Sequence, residues 1–199
     1  MLDICQLKIT REGRDLNYDL QLDEGNILAI QGISGVGKST LLSAIAGFVE
    51  PSDGAVKWKG QLLNVLPVEE RPVSYLFQDH NLFEHLSVME NLLLGFPGVA
   101  PKQDLVEAAG TLKVNDQLDK RPGSLSGGQR QRVALIRTLL RPEPIVLLDE
   151  PFAELDPETR LLTASWVKKT AKEKGKTVLM VTHQSEDVEQ VADECLVLN

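Results

Sequence analysis

Three short clusters in this chain have the residue types and spacing for work on phosphate. Gly32, Ile33, Ser34, Gly35, Val36, Gly37, Lys38, Ser39 and Thr40 fit the pattern G-x-x-x-x-G-K-S/T, in which glycines let the backbone wrap closely around a phosphate chain. In that pattern Lys38 reaches the β- and γ-oxygens, and the Ser39 hydroxyl ligates a magnesium ion (Mg²⁺). The apolar run 145–148 ends in Asp149 and Glu150. A carboxylate at the C-terminal end of a buried strand points into the crevice where open α/β sheets bind ligands. Asp149 is placed for the magnesium side, acting through water, and Glu150 for orienting or deprotonating an attacking water. The third cluster, Leu125-Ser126-Gly127-Gly128-Gln129, opens a helix. A helix start is itself an anion site, because its first N–H groups lack partners and its dipole is positive there. The chain thus carries two phosphate-grasping helix starts, and the question is whether both act on one nucleotide.

Single side chains join these clusters with less context. Gln78 follows the short apolar run 73–77, where its amide would touch magnesium or the attacking water; taken alone it reads as an ordinary surface glutamine. His183 follows Val181-Thr182 at the end of another apolar run, on the same side as Asp149, which favours a catalytic over a structural role. His80 and His85 have no such setting and read as surface or loop residues. Cys5 and Cys195 lie in alternating apolar segments near opposite ends of the chain and read as small buried hydrophobes in strands.

The elements that must position these groups follow from periodicity. Residues 2–9 and 16–22 alternate like half-buried strands around a turn at Gly13, and 26–31 is a short apolar strand running into the phosphate loop. A helix over 38–47, strands over 55–59 and 73–77, and a change to helical patterning from about residue 82 to 141 come next. Ser87 with Glu90, and Ser126 with Gln129, are capping boxes. Pro97 and Pro101 break the chain before a weaker helix over 102–112, and Val133, Ile136 and Leu140 form the apolar stripe of the helix after Ser126. Strand and helix then alternate again: a continuous apolar strand at 145–148, an Asp156-Pro157 helix start, a buried strand at 177–182, a helix over 185–192 and a last strand at 195–198. The expected fold is α/β, a core of residues 1–80 and 142–199 interrupted by a helical subdomain at 81–141.

Composition narrows the function. At 199 residues the chain supports one substantial core. Its net charge of −8 argues against non-specific nucleic-acid binding, which needs Lys and Arg to neutralise phosphates. It does not argue against a nucleotide held by a nest of backbone N–H groups. No apolar run approaches the ~20 residues that span a bilayer, and MLDICQLKIT lacks the features of a secretory signal. A cytoplasmic location is expected.

Together these residues resemble the ATP-binding cassette (ABC) ATPases over essentially the whole chain. The match rests on GISGVGKST, Gln78, LSGGQRQRVALIRTLL, IVLLDEP, Ala153-Glu154-Leu155-Asp156 and His183, all in the family's order. The resemblance implies a P-loop NTPase core, a mostly parallel sheet flanked by helices, with an N-terminal antiparallel β part and an inserted helical subdomain. It implies a head-to-tail dimer with two ATP molecules, each held by the phosphate loop of one copy and the Ser126-Gly127-Gly128 helix start of the other. Asp156 would lie in the interface loop, His183 would contact the γ-phosphate, and Glu150 would serve hydrolysis. Residues 71–96 are similar to importer ATPases with separate membrane subunits, the thiamine-importer type among them. That implies a permease partner and a peripheral position on the inner face of the cell membrane. Leu82, Phe83 and Leu86 then read either as the groove for the permease or as subdomain core. ABC ATPases of lipoprotein release or cell division share every motif and stay open as the alternative. Two departures stand out. Where the family usually places an aromatic residue to stack on adenine, this chain has Arg11, while Tyr18 fits the apolar face of its strand. The chain also stops at Asn199, so no appended regulatory domain is expected.

Overall fold

Runs that are apolar on both sides need cover on both sides. In the computed structural model, which describes residues 1–199 except Glu12, His80, Pro97 and Asn199, a five-stranded parallel sheet meets that need. Its order is β6 (Val73–Leu76), β7 (Ile145–Asp149), β8 (Thr177–Val181), β3 (Ile27–Gly32) and β9 (Glu194–Leu198). The surface or loop reading of His80 and the break expected at Pro97 lie outside the described residues. Alternate residues of the central strands point to opposite layers. Ile145, Leu147, Leu179, Val181, Leu28 and Ile30 join one core cluster, and Val146, Leu148, Val178, Met180, Ile27 and Ala29 join the other.

The first layer contains α1 (Lys38–Ala46) and a four-stranded antiparallel sheet. That sheet has the order β2 (Arg14–Leu22), β1 (Leu2–Arg11), β4 (Asp53–Trp58) and β5 (Gln61–Leu62). The second layer contains α4 (Gly127–Leu140), α5 (Pro157–Glu173) and α6 (Ser185–Val191). A third cluster joins α2 (Val88–Leu93) and α3 (Lys102–Thr111) to the Val133, Ile136 and Leu140 stripe of α4. The helix α4 therefore belongs to two cores, since its Ala134, Leu135 and Leu139 pack into the second layer. Both capping boxes form, at Ser87–Glu90 and at Ser126–Gln129.

One expectation fails at an edge. Cys195 is exposed and Cys5 only half-buried. The strand β9 is the last of its sheet and is covered on one face, so Leu196 and Leu198 reach the core while Cys195 and Val197 face outward. Alternation marks two faces but not which of them a neighbour covers.

Candidate active site

Four chemistry-bearing segments leave the C-terminal ends of four adjacent parallel strands. They are the phosphate loop after β3, Gln78 after β6, Asp149-Glu150 at the end of β7 and His183 after β8. Parallel pairing in register puts those ends side by side, which is where open α/β sheets bind ligands. A cleft of about 580 Å³ opens there, lined by Ser34, Gly35, Gly37, Lys38, Ser39, Thr40, Gln78, Glu150 and His183, with Arg11, Arg14 and Leu16 from the β1–β2 hairpin.

The phosphate loop is held from beneath. Gly37 has φ 106° and starts α1, so a side chain there would be strained, and a Cβ would overlap the Tyr18 hydroxyl. That hydroxyl donates to the Gly37 carbonyl at 2.9 Å. Tyr18 thus supports the loop, a role its apolar-face position on β2 did not reveal. Burial pushes its phenol up to about 12. Lys38 Nζ donates to the carbonyls of Gly32 and Ile33, each at 2.9 Å, which draws the ammonium into the loop. Burial lowers its pKa from the ordinary value, while Glu150 and Asp149 oppose that shift.

The carboxylates sit in different surroundings. Asp149 is buried, which pushes its carboxyl above the ordinary range, with a hydrogen bond from Ser39 opposing the shift. Glu150 reaches His183, with Oε1 3.0 Å from Nε2. Its backbone has φ 49°, a left-handed conformation that costs a non-glycine residue about 1 kcal/mol or more. Neighbours hold it there. Its N–H donates to the Val181 carbonyl at 3.1 Å. Gln131, 2% exposed on α4, donates from Nε2 to the carbonyls of Glu150 (3.4 Å) and Pro151 (2.7 Å). Gln131 was visible in the sequence only as a polar position beside the apolar stripe of α4, and its target is 20 residues away.

The His183 loop has its own anchor. Thr182 Oγ1 donates to Asp187 Oδ2 at 2.5 Å and accepts from the Gln184 N–H at 3.2 Å. Arg160 of α5 donates to both Asp187 oxygens, each at 2.7 Å. Nothing in the sequence marked Arg160 or Asp187, because each is an ordinary charged residue until the helices pack.

Ser126, Gly127, Gly128, Gln129 and Asp156 do not line the cleft. Ser126 accepts from the Gln129 N–H at 3.3 Å, and Asp156 caps α5 by accepting from the Thr159 N–H at 3.0 Å. Gly128 packs on the 154–155 loop, where a Cβ would lie 3.0 Å from the Glu154 carbonyl oxygen. The second helix start is thus formed, packs against Glu154 and does not line its own chain's phosphate cleft.

The residues present suit ATP and magnesium. Ser39 and Asp149 are paired and Gln78 lines the same cleft, a set of hard oxygen donors appropriate to magnesium. Among the described residues no group of three or more His, Cys, Asp or Glu side chains could hold a metal alone. Beside the cleft, a smaller cavity of about 210 Å³ is lined by Tyr75, Phe77, Asn81, Phe83, Leu94, Arg137, Thr138 and Arg141. Phe83 is 49% exposed there, whereas Leu82 packs against two core clusters.

A phosphate loop, strand-end carboxylates and a separate capped glycine helix on this two-layered fold define an ATP-binding cassette ATPase. The chain belongs to the ABC transporter family, which matches residues 16–153. It is 46% identical to the thiamine import ATP-binding protein ThiQ of Vibrio cholerae serotype O1, covering 100% of this chain and 86% of that one. It is 41% identical to the protein of the same name from Shigella boydii serotype 4, covering 100% and 88%. Among solved structures it superposes on a dimeric post-hydrolysis state of the ATP-binding cassette MJ0796 bound to ADP and Pi. The TM-score is 0.89 at 29% identity, covering 100% of this chain and 94% of that one. Among the described residues no helix is long and apolar enough to cross a membrane.

Proposed function

We propose that this chain powers a small-molecule importer, with thiamine as the substrate class, as the ATPase half of a complex with a separate permease. The observation that carries the mechanism is the separation of the two anion sites. Ser34, Gly35, Gly37, Lys38, Ser39 and Thr40 line the cleft, and Ser126, Gly127 and Gly128 do not. One chain offers half of two sites, so a second copy packed head to tail completes both. Likeness to a dimeric cassette supports this arrangement.

On this reading the loop N–H groups and Lys38 bind the β- and γ-phosphates, and the partner's helix start closes over the γ-phosphate. Ser39, Asp149 and Gln78 would hold magnesium, which when bound neutralises charge on the phosphate oxygens. Glu150 orients the attacking water and accepts its proton, and His183, touching Glu150, holds that carboxylate and the γ-phosphate in place. ATP closes the dimer and hydrolysis reopens it, a population shift driven by differential binding. Residues 81–141 act as a helical subdomain on the core of 1–80 and 142–199, and Phe83 faces the permease. The complex then places the chain at the inner face of the membrane.

Glu150→Gln tests this. It keeps the shape and removes the proton acceptor, so it should abolish turnover while leaving ATP bound across a stable dimer by light scattering. A variant that binds ATP and stays monomeric would refute the composite site.

A further inference from the structure

A second concavity has no part in the chemistry above. Side chains of α3 and α5, with Leu140 of α4, line a groove of about 400 Å³. Leu140, Ala108, Leu162 and Trp166 supply its apolar part. Trp166 is half-buried and packs against the second and third core clusters, which hold its indole in place. Thr170, one turn further along α5, also lines the groove and is only 7% exposed. Its hydroxyl makes no hydrogen bond with any described residue. Buried hydroxyls find partners in folded proteins, so one left open to a groove is a point where a ligand gains. The rim is charged, and its charges do not balance. Lys174 pairs with Asp104 at 3.3 Å, and Lys169 with Glu173 at 3.8 Å, so both ammoniums of the groove are taken. Glu107 is the third carboxylate. Its Oε1 accepts from Gln103 Nε2 at 3.0 Å, and among the described residues no cation pairs with it.

An indole attracts a cation, and an unpaired carboxylate adds to that attraction. A neutral apolar ligand would leave Thr170 and Glu107 unanswered, and an anion would be repelled by Glu107. We propose that this groove binds a flat aromatic cation carrying an N–H donor, seated against Trp166 with its N–H groups on Thr170 and Glu107. The groove shares no lining residue with the phosphate cleft. The thiamine proposed above as cargo belongs to this chemical class, since it joins an aminopyrimidine to a thiazolium cation. That one identification rests on the importer reading, and the site does not.

Isothermal titration calorimetry of the full chain tests this with protonated 4-aminoquinoline and with quinoline, which has the same ring and is neutral at the same pH. Aminoquinoline should bind about tenfold tighter than quinoline, the difference that a cation against an aromatic ring supplies. Thr170→Val keeps the shape and removes the hydroxyl, so it should weaken aminoquinoline by about threefold to tenfold. Glu107→Gln removes an exposed charge and should weaken it by about threefold. Neither change should alter quinoline binding. Both variants should melt at or above the wild-type temperature, because neither removes an ion pair or a hydroxyl bond within the chain. Saturating magnesium ADP should leave the aminoquinoline affinity unchanged. No binding of aminoquinoline, equal affinity for the two rings, wild-type affinity in both variants, or displacement by ADP would each overturn the proposal. Thiamine should bind with the same dependence on Thr170 and Glu107. If aminoquinoline behaves as expected and thiamine does not bind, the site stands and its ligand is an aromatic cation other than the proposed cargo.

Discussion

The Arg160–Asp187 pair gives the sharpest test of how the His183 loop is built. Asp187 is 2% exposed and Arg160 16%. The carboxylate takes two bonds from the guanidinium and one from Thr182. Replacing Arg160 with Met leaves a buried carboxylate with one hydroxyl donor. Removing one partner of a buried pair costs about 3–5 kcal/mol, a large share of a total stability of about 5–15 kcal/mol. At about 2–4 °C per kcal/mol for a chain of this size, the melting temperature should fall by about 6–20 °C. Asp187→Leu should cost a similar amount, because it strands the guanidinium. The double variant should recover most of the loss, since the desolvation of both charges is relieved together. Urea and thermal unfolding of the four proteins in a double-mutant cycle measure the coupling, and a value below about 1 kcal/mol would refute the assignment. Activity adds a second readout. Thr182 precedes His183 and bonds the Gln184 N–H, so Arg160→Met should lower kcat more than ATP affinity at a temperature where it is folded. An unchanged kcat would show that the pair holds α5 to α6 without positioning His183.

Three further outcomes are expected. Burial pushes both tyrosines, Tyr18 and Tyr75, up to about 12. The neutral phenols therefore add stability that is complete below the unfolded value of about 10 and is lost between that pH and about 12. Difference spectroscopy should show no tyrosinate at about pH 10 while the chain is folded, and a tyrosine titrating there would contradict the burial of one of these two rings. Gly128→Ala places a Cβ 3.0 Å from the Glu154 carbonyl and 3.3 Å from Leu155 Cδ2. It should cost about 1–3 kcal/mol in thermal unfolding, and full stability would show that the 154–155 loop yields freely. Phe83→Asp should lower the ATPase stimulation given by the permease and leave ATP binding intact; lost ATP binding would place Phe83 in the nucleotide site instead.

Local chemistry made part of this molecule legible before it folded. The glycine spacing before Lys38, the two capping boxes and the apolar run ending in Asp149 each depend on neighbours a few residues away, and each took the expected form. Strand ends could be placed because both-faced apolar runs require a covered parallel sheet. Burial at the sheet edge could not, and Cys195 faces outward because no layer covers that side of β9. Leu82 and Phe83 are adjacent apolar residues in the sequence, and only packing sends one into two cores and the other to the surface.

The sequence by itself determined the class of chemistry, because phosphate cradling and helix capping are short-range and need specific residue types at short spacing. Tertiary structure decided what holds that chemistry in place. Tyr18 beneath Gly37, Gln131 on the Glu150 carbonyl, and Arg160 on Asp187 join residues 19, 19 and 27 positions apart. A hydrogen bond across such a separation exists only once two elements have packed.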